Sequence, residues 1–482
     1  MTTKLILLHP VLFSIIFVIT PFTQYAGLIP PAQVAAPFLV ICTFSALLYF
    51  IVKRMVKKAG VAVAFLSPLL IVLCNYGILY EYISSLTSGT KLKGPVLALA
   101  TLIILVILIV YIMKILRLRE GATSKVNKAF CVIACALIVF NAFSITMQSI
   151  AFAKMNSDSG TPDMSMPKHT GPRPDIYFII LDEYAAPSQM KSYFHYDMSP
   201  FVEYLRQNGF MVTEMTTEST ATATILDARL NMEARKRQDG DLSSGSLSDS
   251  LLESVNLLNS DEEKRIIHIR NNKVIGYLKG LGYQYIHMGS WFAQTRYNQL
   301  AYQNPNFFGF QFKDELSTII ASSSVLRLVL INRYFLRSSV LGAFAYLENM
   351  PVIPGKPKFI FAHIICPHTP YVFGANGEML GVNLGESKGD KQRYLDQHVY
   401  MTKMAKEFID KKLSTAQVAP IVIIQADHGA RMDKSQARQV FSAVYIPNYK
   451  GKLWSDGSNS KNTFKFIFYD LFGAKLPVHE GV

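Results

Sequence analysis

Cysteine is scarce in this 482-residue chain. There are five, and Cys42, Cys74, Cys131 and Cys135 all sit inside long apolar runs, leaving Cys366 alone elsewhere. A domain with one thiol cannot staple itself, so a hydrophobic core must hold it. No CxxC and no Cys/His cluster of the zinc-ribbon kind occurs, which removes that class of metal site. Acidic residues are also short, 34 against 48 basic, for a net charge of +14. The basic residues build no stacked aromatic platform and no recognised nucleic-acid motif, so nucleic acid is not expected as a partner. Basic cytoplasmic loops of a membrane protein account for part of the excess more simply.

Apolar residues are abundant, and they are unevenly spread. Five segments, near 4–22, 34–52, 61–80, 94–113 and 129–152, are each about the roughly 20 residues a bilayer crossing takes. The first is not read as a cleaved leader: Gln24, Tyr25 and the neighbouring prolines make a poor cleavage site, and more spans follow. Lys53, Arg54, Lys57 and Lys58 follow the second segment. Lys114, Arg117, Arg119, Lys125 and Lys128 lie between the fourth and fifth. The loop after the first has no Lys or Arg, and that after the third only Lys91 and Lys93. The positive-inside rule therefore predicts a cytoplasmic amino terminus and an extracytoplasmic remainder. Residues 1–153 are expected to form a five-span transmembrane bundle, 154–174 a Pro/Ser/Gly-rich linker, and 175–482 a soluble domain. A second polar stretch, 233–264, with the serine-rich SSGSLSDS, reads as an exposed insertion.

The soluble part alternates strand and helix patterns. DIYFIIL (175–181), KFIFAHII (358–365) and IVIIQ (421–425) are short apolar runs of the buried-strand kind. KVIGYLKGLGYQY (273–285) reads as a helix leading into a strand, with His287 just beyond, and 393–413 reads as a helix. This alternation predicts an α/β domain with a mainly parallel sheet flanked by helices. Parallel strands bring their carboxyl ends to one sheet edge. Three of these strands run into Asp182 and Glu183, His368, and the adjacent Asp427 and His428. Two carboxylates and an imidazole suit Mn²⁺, Mg²⁺ or Zn²⁺. Such an ion activates a hydroxyl nucleophile and neutralises a transferring phosphoryl or sulfuryl group. STATATILDARLNM (219–232) offers the hydroxyl, with Thr220, Thr222 and Thr224 near the start of a helix, whose N-terminus favours an anion. Ser219 or Thr220 acting as an ordinary N-cap is compatible with a later threonine reacting.

An acid at a strand end, a threonine about 40 residues on and a late Asp–His pair together resemble the alkaline phosphatase/sulfatase superfamily. With five preceding spans, the chain is similar to its membrane-bound branch of lipoteichoic acid synthase-type phosphoglycerol transferases. The resemblance implies one divalent metal, Mn²⁺ first and Mg²⁺ or Zn²⁺ as alternatives, held by Asp182, Thr222, Asp427 and His428. It implies Thr222 as nucleophile, Thr220 and Thr224 being the alternatives. It further implies substrate contacts from His368 in PHTPY and from HMGSWFAQTR, namely His287, Trp291 and Arg296. Arg431 would neutralise charge, and His363 is either an outer support of the metal or an ordinary core residue.

The implied activity is transfer of a phosphoryl-linked, phosphoglycerol-like headgroup from a membrane phospholipid to an envelope glycan or glycolipid, through a phosphothreonine, at the bacterial cytoplasmic membrane. Water as acceptor, giving a phosphodiesterase, phosphatase or sulfatase-like hydrolase, and a non-catalytic lipid sensor are the alternatives. Departures from the pattern narrow these. Cys366 is followed at once by Pro367, so the Cys-x-Pro-x-Arg precursor of formylglycine sulfatases is absent, and no Asp-x-x-x-His pair supplies a second metal. Glu183 stands where many relatives carry glycine.

Overall fold

The computed structural model describes residues 8–86, 94–118, 121–158, 173–233, 260–305, 314–327, 333–350, 356–380, 390–449 and 454–474. The serine-rich 243–250 and most of the expected linker lie outside them.

The chain divides into two compact units. The first opens with α1 (His9–Gln24), α2 (Ala35–Val56), α3 (Ala59–Cys74), α4 (Tyr76–Leu86), α5 (Gly94–Leu118) and α6 (Ala122–Asp158). Two stretches, Pro31–Val56 and Ala122–Ile150, are long and apolar enough to cross a membrane, while His9–Thr23, Ala59–Cys74 and Leu99–Tyr111 are shorter apolar helices. Two spans, rather than five, therefore meet the length criterion among the described residues. The third expected span is broken at Asn75, where one helix ends and another begins.

Buried polar groups pin these helices together, since a polar group away from water must find a partner. His9 is fully buried, with Nδ1 2.6 Å from Ser67 Oγ and Nε2 3.1 Å from Asn127 Oδ1. A late segment joins the same unit: α12 (Glu315–Ser323), so numbered because five helices intervene, packs on α1, α2 and α4. Its first amide hydrogens, on Glu315 and Leu316, are accepted by Gln33 Oε1 at 3.0 and 3.3 Å. At its other end the Arg327 guanidinium lies 4.6 Å from the Tyr80 ring centre. Nothing in the hydrophobic pattern of ELSTIIASS separates it from the soluble domain.

The second unit contains β1 (Ile176–Leu181), α7 (Pro187–Tyr193), α8 (Ser199–Gln207), β2 (Met211–Thr216), α9 (Thr222–Asn231), α10 (Ser260–Arg270), α11 (Lys273–Gly280) and β3 (Gln284–Met288). Beyond α12 it resumes with α13 (Arg333–Glu348), β4 (Lys358–Ile364), α14 (Lys391–Thr415), β5 (Ile421–Ala426), β6 (Gln439–Tyr445) and α15 (Thr463–Phe472). The six-stranded sheet has the order β2-β6-β5-β1-β4-β3. Strands β5, β1, β4 and β3 are mutually parallel, whereas β6 runs antiparallel to both β5 and β2. The sheet is therefore mixed: its parallel part runs from β5 to the edge strand β3, and the antiparallel β6 and then β2 complete the other side. Every residue of β1, β4 and β5 is buried, as expected of strands covered on both faces. The apolar runs in the sequence are this double burial written out.

Register decides where the chemistry goes. Leu181 of β1 pairs with Ile364 of β4 on one side and Ala426 of β5 on the other. The next residues, Asp182 and Asp427, thus emerge side by side at the carboxyl edge, with the β4 extension toward His368 alongside.

Candidate metal-centred active site

Ligating atoms of Asp182, Asp427 and His428 all lie within 4.8 Å of one another, and all three residues are buried. Asp427 Oδ1 accepts two main-chain N–H groups, from Glu183 at 2.9 Å and His428 at 2.8 Å. Its Oδ2 accepts the Thr222 hydroxyl at 2.7 Å. His428 Nδ1 is 2.8 Å from the Gly429 carbonyl, which can only accept, so Nδ1 carries the proton and the lone pair sits on Nε2. That Nε2 is 3.3 Å from Asp427 Oδ2 yet has no hydrogen-bond partner among the described residues, and neither has Asp182 Oδ1. Leaving a buried polar atom unmade costs about 1–3 kcal/mol, more when it is charged. A divalent cation among these atoms satisfies all of them, and two carboxylates with one imidazole are a donor set that such ions accept. The residues present fit the group.

The surroundings reinforce this. Burial alone would raise the Asp182 carboxyl, but the imidazoles of His368, His363 and His428 outweigh it and hold the group below the usual carboxylate range. Glu183 adopts φ +63, in the left-handed region that favours glycine. The same residue donates its N–H to Asp427, while its Oε1 accepts the Arg431 N–H at 2.7 Å. Asp182, rather than Glu183, lies in the ligand cluster. Gly429 is needed for space: a Cβ there would sit 2.5 Å from Gln189 Oε1 and 3.0 Å from the Gln439 carbonyl.

Thr222 is the first residue of α9, and Ala221 is the N-cap with no side-chain cap bond. The Ser219 hydroxyl instead accepts the Ala221 N–H at 3.0 Å. Thr222 is on the Asp427 carboxylate, and Thr220 offers its carbonyl to Arg431 at 2.8 and 3.2 Å.

Among the expected substrate residues, His368 and Trp291 come together, their ring centres 6.2 Å apart. His368 lies between the cis prolyl bonds Cys366–Pro367 and Thr369–Pro370. Its Nδ1 is 2.6 Å from the Thr369 carbonyl, and its Nε2 is 3.3 Å from Arg431 Nη1 and 3.9 Å from Glu183 Oε2. Arg296 is buried and donates from Nη2 to the Trp291 carbonyl at 3.2 Å. His287 is placed differently from the sequence expectation: it lies within β3, not beyond it. Both ring nitrogens are engaged, Nδ1 by Tyr285 Oη at 2.7 Å and Nε2 by the Thr295 carbonyl at 2.8 Å. Burial pulls its pKa down to about 3, against the Thr295 bond.

One residue of consequence had no sequence signal of its own. Arg229 is fully buried and donates to the carbonyls of Ala426 at 2.7 Å and Asp427 at 3.0 Å, and to Ser460 Oγ at 3.0 Å. It clamps the main chain that carries the Asp–His pair. Burial lowers its guanidinium to about 10 while Asp427 opposes the shift.

Three solved structures are similar to this chain at low identity and low TM-score. The C-terminal periplasmic domain of EcEptC from Escherichia coli has 13% identity and a TM-score of 0.40, covering 65% of this chain and 86% of that one. Lipooligosaccharide phosphoethanolamine transferase A (EptA) from Neisseria meningitidis has 12% and 0.38, covering 93% and 89%. The lipoteichoic acid synthase LtaP from Listeria monocytogenes has 12% and 0.37, covering 65% and 77%. No curated protein matches the chain. The sulfatase family model matches residues 174–464, from the approach to β1 into α15, and the chain therefore belongs to the sulfatase family.

Proposed function

We propose that the chain is a membrane-anchored enzyme that transfers a phosphoryl-linked lipid headgroup, phosphoglycerol-like, to a hydroxyl of an envelope glycan or glycolipid. The observation that carries this reading is the Thr222 hydroxyl, 2.7 Å from Asp427 Oδ2 beside Asp182 Oδ1 and His428 Nε2, neither of which has a partner among the described residues. A divalent ion held by Asp182, Thr222, Asp427 and His428, Mn²⁺ first and Mg²⁺ or Zn²⁺ as alternatives, supplies Lewis-acid polarisation and charge neutralisation when bound.

Thr222 Oγ forms the new bond to phosphorus as the bond to the diacylglycerol oxygen breaks, leaving a phosphothreonine. Its proton departs along the hydrogen bond to Asp427 Oδ2 and returns when the intermediate is cleaved. His368, whose Nδ1 faces the Thr369 carbonyl, presents Nε2 for proton transfer. It protonates the departing diacylglycerol oxygen and takes a proton from the acceptor hydroxyl in the second half-reaction. Arg431 and Arg296 neutralise phosphate charge, and Trp291 packs against the headgroup. His287, engaged on both sides, acts by holding the Trp291–Arg296 loop. A thiol-derived nucleophile gains no support: Cys366 is buried, and burial raises its pKa far above the ordinary value.

The location in this reading is the cytoplasmic membrane, with five spans, an internal amino terminus and an extracytoplasmic catalytic domain. Residues 1–153 anchor that domain and keep the local concentration of lipid high.

The test is mass analysis of the peptide containing Thr222 after incubation with membrane lipids, with and without a glycan acceptor. An added glycerophosphate on Thr222 that the glycan discharges is the expected result. Discharge by water alone makes the enzyme a hydrolase. Turnover without any adduct on Thr222, or undiminished in Thr222→Ala, overturns the reading.

A further inference from the structure

The loop that follows β3 and the metal-ligand cluster are joined by a buried chain of polar side chains, and its centre is Thr295. Ser290 Oγ lies 2.8 Å from Thr295 Oγ1, and Thr295 Oγ1 lies 2.9 Å from His363 Nδ1. His363 Nε2 reaches to 3.3 Å from Asp182 Oδ2. His363 and Ser290 are buried, and Thr295 is fully so.

The directions of donation follow from the acceptors. His363 Nε2 meets a carboxylate, which only accepts, so the proton sits on Nε2 and Nδ1 is the acceptor. Thr295 then donates to His363 and receives from Ser290. Ser290 Oγ also accepts the Phe292 N–H at 3.1 Å. The contact to Asp182 is short of a full hydrogen bond, and among the described residues His363 Nε2 has no other partner. His363 thus lies buried against one Asp182 oxygen, while the other has no partner among the described residues.

Thr295 also fixes the loop through its main chain. Its carbonyl accepts from His287 Nε2 at 2.8 Å and from the Ser290 N–H at 3.1 Å, and its own N–H is accepted by the Phe292 carbonyl at 3.1 Å. Arg270 Nη2 holds the neighbouring Ala293 carbonyl at 2.8 Å. Trp291 and Arg296 sit on this same loop.

We propose that Thr295 is a positioning residue that couples the Trp291–Arg296 loop to the metal site, so that the loop and the Asp182 carboxylate are set as one unit. Metal binding and loop order are then reciprocal: each favours the other by the same free energy. The proposal rests on the metal reading above. Outer-shell partners of a metal ligand typically change affinity by about 10–100-fold when removed.

The experiment uses the two tryptophans. One is Trp291; the other, Trp454, is buried between Tyr449 and Phe466, with ring centres 5.6 and 5.2 Å away. In a full-length Trp454→Phe background, Trp291 alone reports on the loop. Detergent-solubilised protein, stripped with a chelator, is titrated with Mn²⁺ and with Zn²⁺ by calorimetry while Trp291 emission is followed.

The expected result is a metal-dependent emission change. Thr295→Val, nearly the same shape without the hydroxyl, is expected to bind at least about tenfold more weakly with the emission change lost. Thr295→Ser restores both. If Thr295→Val does not fold, His363→Asn keeps a polar group near Thr295 but removes the reach to Asp182, and the same loss is expected. Wild-type affinity and emission change in a folded Thr295→Val or His363→Asn overturn the proposal. Failure of the Trp454→Phe parent to bind any divalent ion overturns the metal reading instead.

Discussion

At the scale of single residues, the site depends on groups that hold others as much as on those that react. Arg229 is the sharpest case. Its guanidinium serves the Ala426 and Asp427 carbonyls at 2.7 and 3.0 Å, and no water reaches that position to replace it. Arg229→Met keeps most of the volume but leaves both acceptors bare. It should lower unfolding free energy by on the order of 3 kcal/mol, read by denaturant titration of tryptophan emission. Divalent affinity should fall in the same variant, because the freed main chain carries Asp427 and His428. An unchanged midpoint would mean that those carbonyls find other donors. Thr222→Ala differs: it removes one donor to a carboxylate already served by two N–H groups, so stability should change little. Headgroup transfer should drop at least about 10³-fold, measured as product formed per enzyme. That contrast separates a reacting group from a supporting one. The placement of Thr222 beside Asp427 was legible because a hydroxyl at a helix start, in motif order between two acidic strand ends, marks a candidate in the sequence. Arg229 was not, since a buried arginine in DARLNM reads like any helical arginine until the Asp–His turn is placed above it.

Elements were legible to the degree that both their faces are buried. Strands β1, β4 and β5 announce themselves as apolar runs, and the carboxyl ends of β1 and β5 lead directly to the candidate ligands Asp182, Asp427 and His428. Strand β2, MVTEMT, lies at the sheet edge and is only partly buried, so its alternation is weak. Its partner β6, QVFSAVY, is buried through its middle yet shows no unbroken apolar run, because Ser442 interrupts it; with these two strands went the antiparallel pair that makes the sheet mixed. Helix α12 is the largest surprise of this kind. ELSTIIASS is short and faintly patterned, yet it packs closely on α4, where a Cβ at Gly77 would lie 2.1 Å from the Ser322 carbonyl oxygen. That contact is with main chain, so no side-chain rotation relieves it. Gly77→Leu should therefore displace α12 while sparing the second unit. Hydrogen exchange of the amides in 315–323 is the measurement; protection should fall by at least about tenfold with β1 and β5 unaffected. Equal protection in both proteins would show that α12 does not need the close approach.

For the whole molecule, charge and burial set how stability responds to acid. Both tryptophans belong to the second unit, so tryptophan emission of the full chain follows that unit's unfolding. His287 and His398 are buried, and burial pulls each down to about 3 from an ordinary value of 6.5. Between about pH 6.5 and 3 the unfolded chain binds these two protons and the folded chain does not. Stability therefore falls as pH falls through that window, by up to about 1.4 kcal/mol per pH unit for each histidine. Asp182 acts later with the same sign: its carboxyl is held below the ordinary 3.8, so its contribution is present above that value and is lost on further acidification. His398 gives the clean test, because it stacks on Tyr184 at 3.9 Å between ring centres and meets the Ala185 carbonyl, away from the ligand cluster. His398→Gln keeps a donor for that carbonyl and removes the titration. In chelator-treated protein, the slope of unfolding free energy against pH between 6 and 4 should drop by about half. A slope identical to the parent's would mean that His398 is already protonated in the fold, or that the acid sensitivity arises elsewhere in the chain.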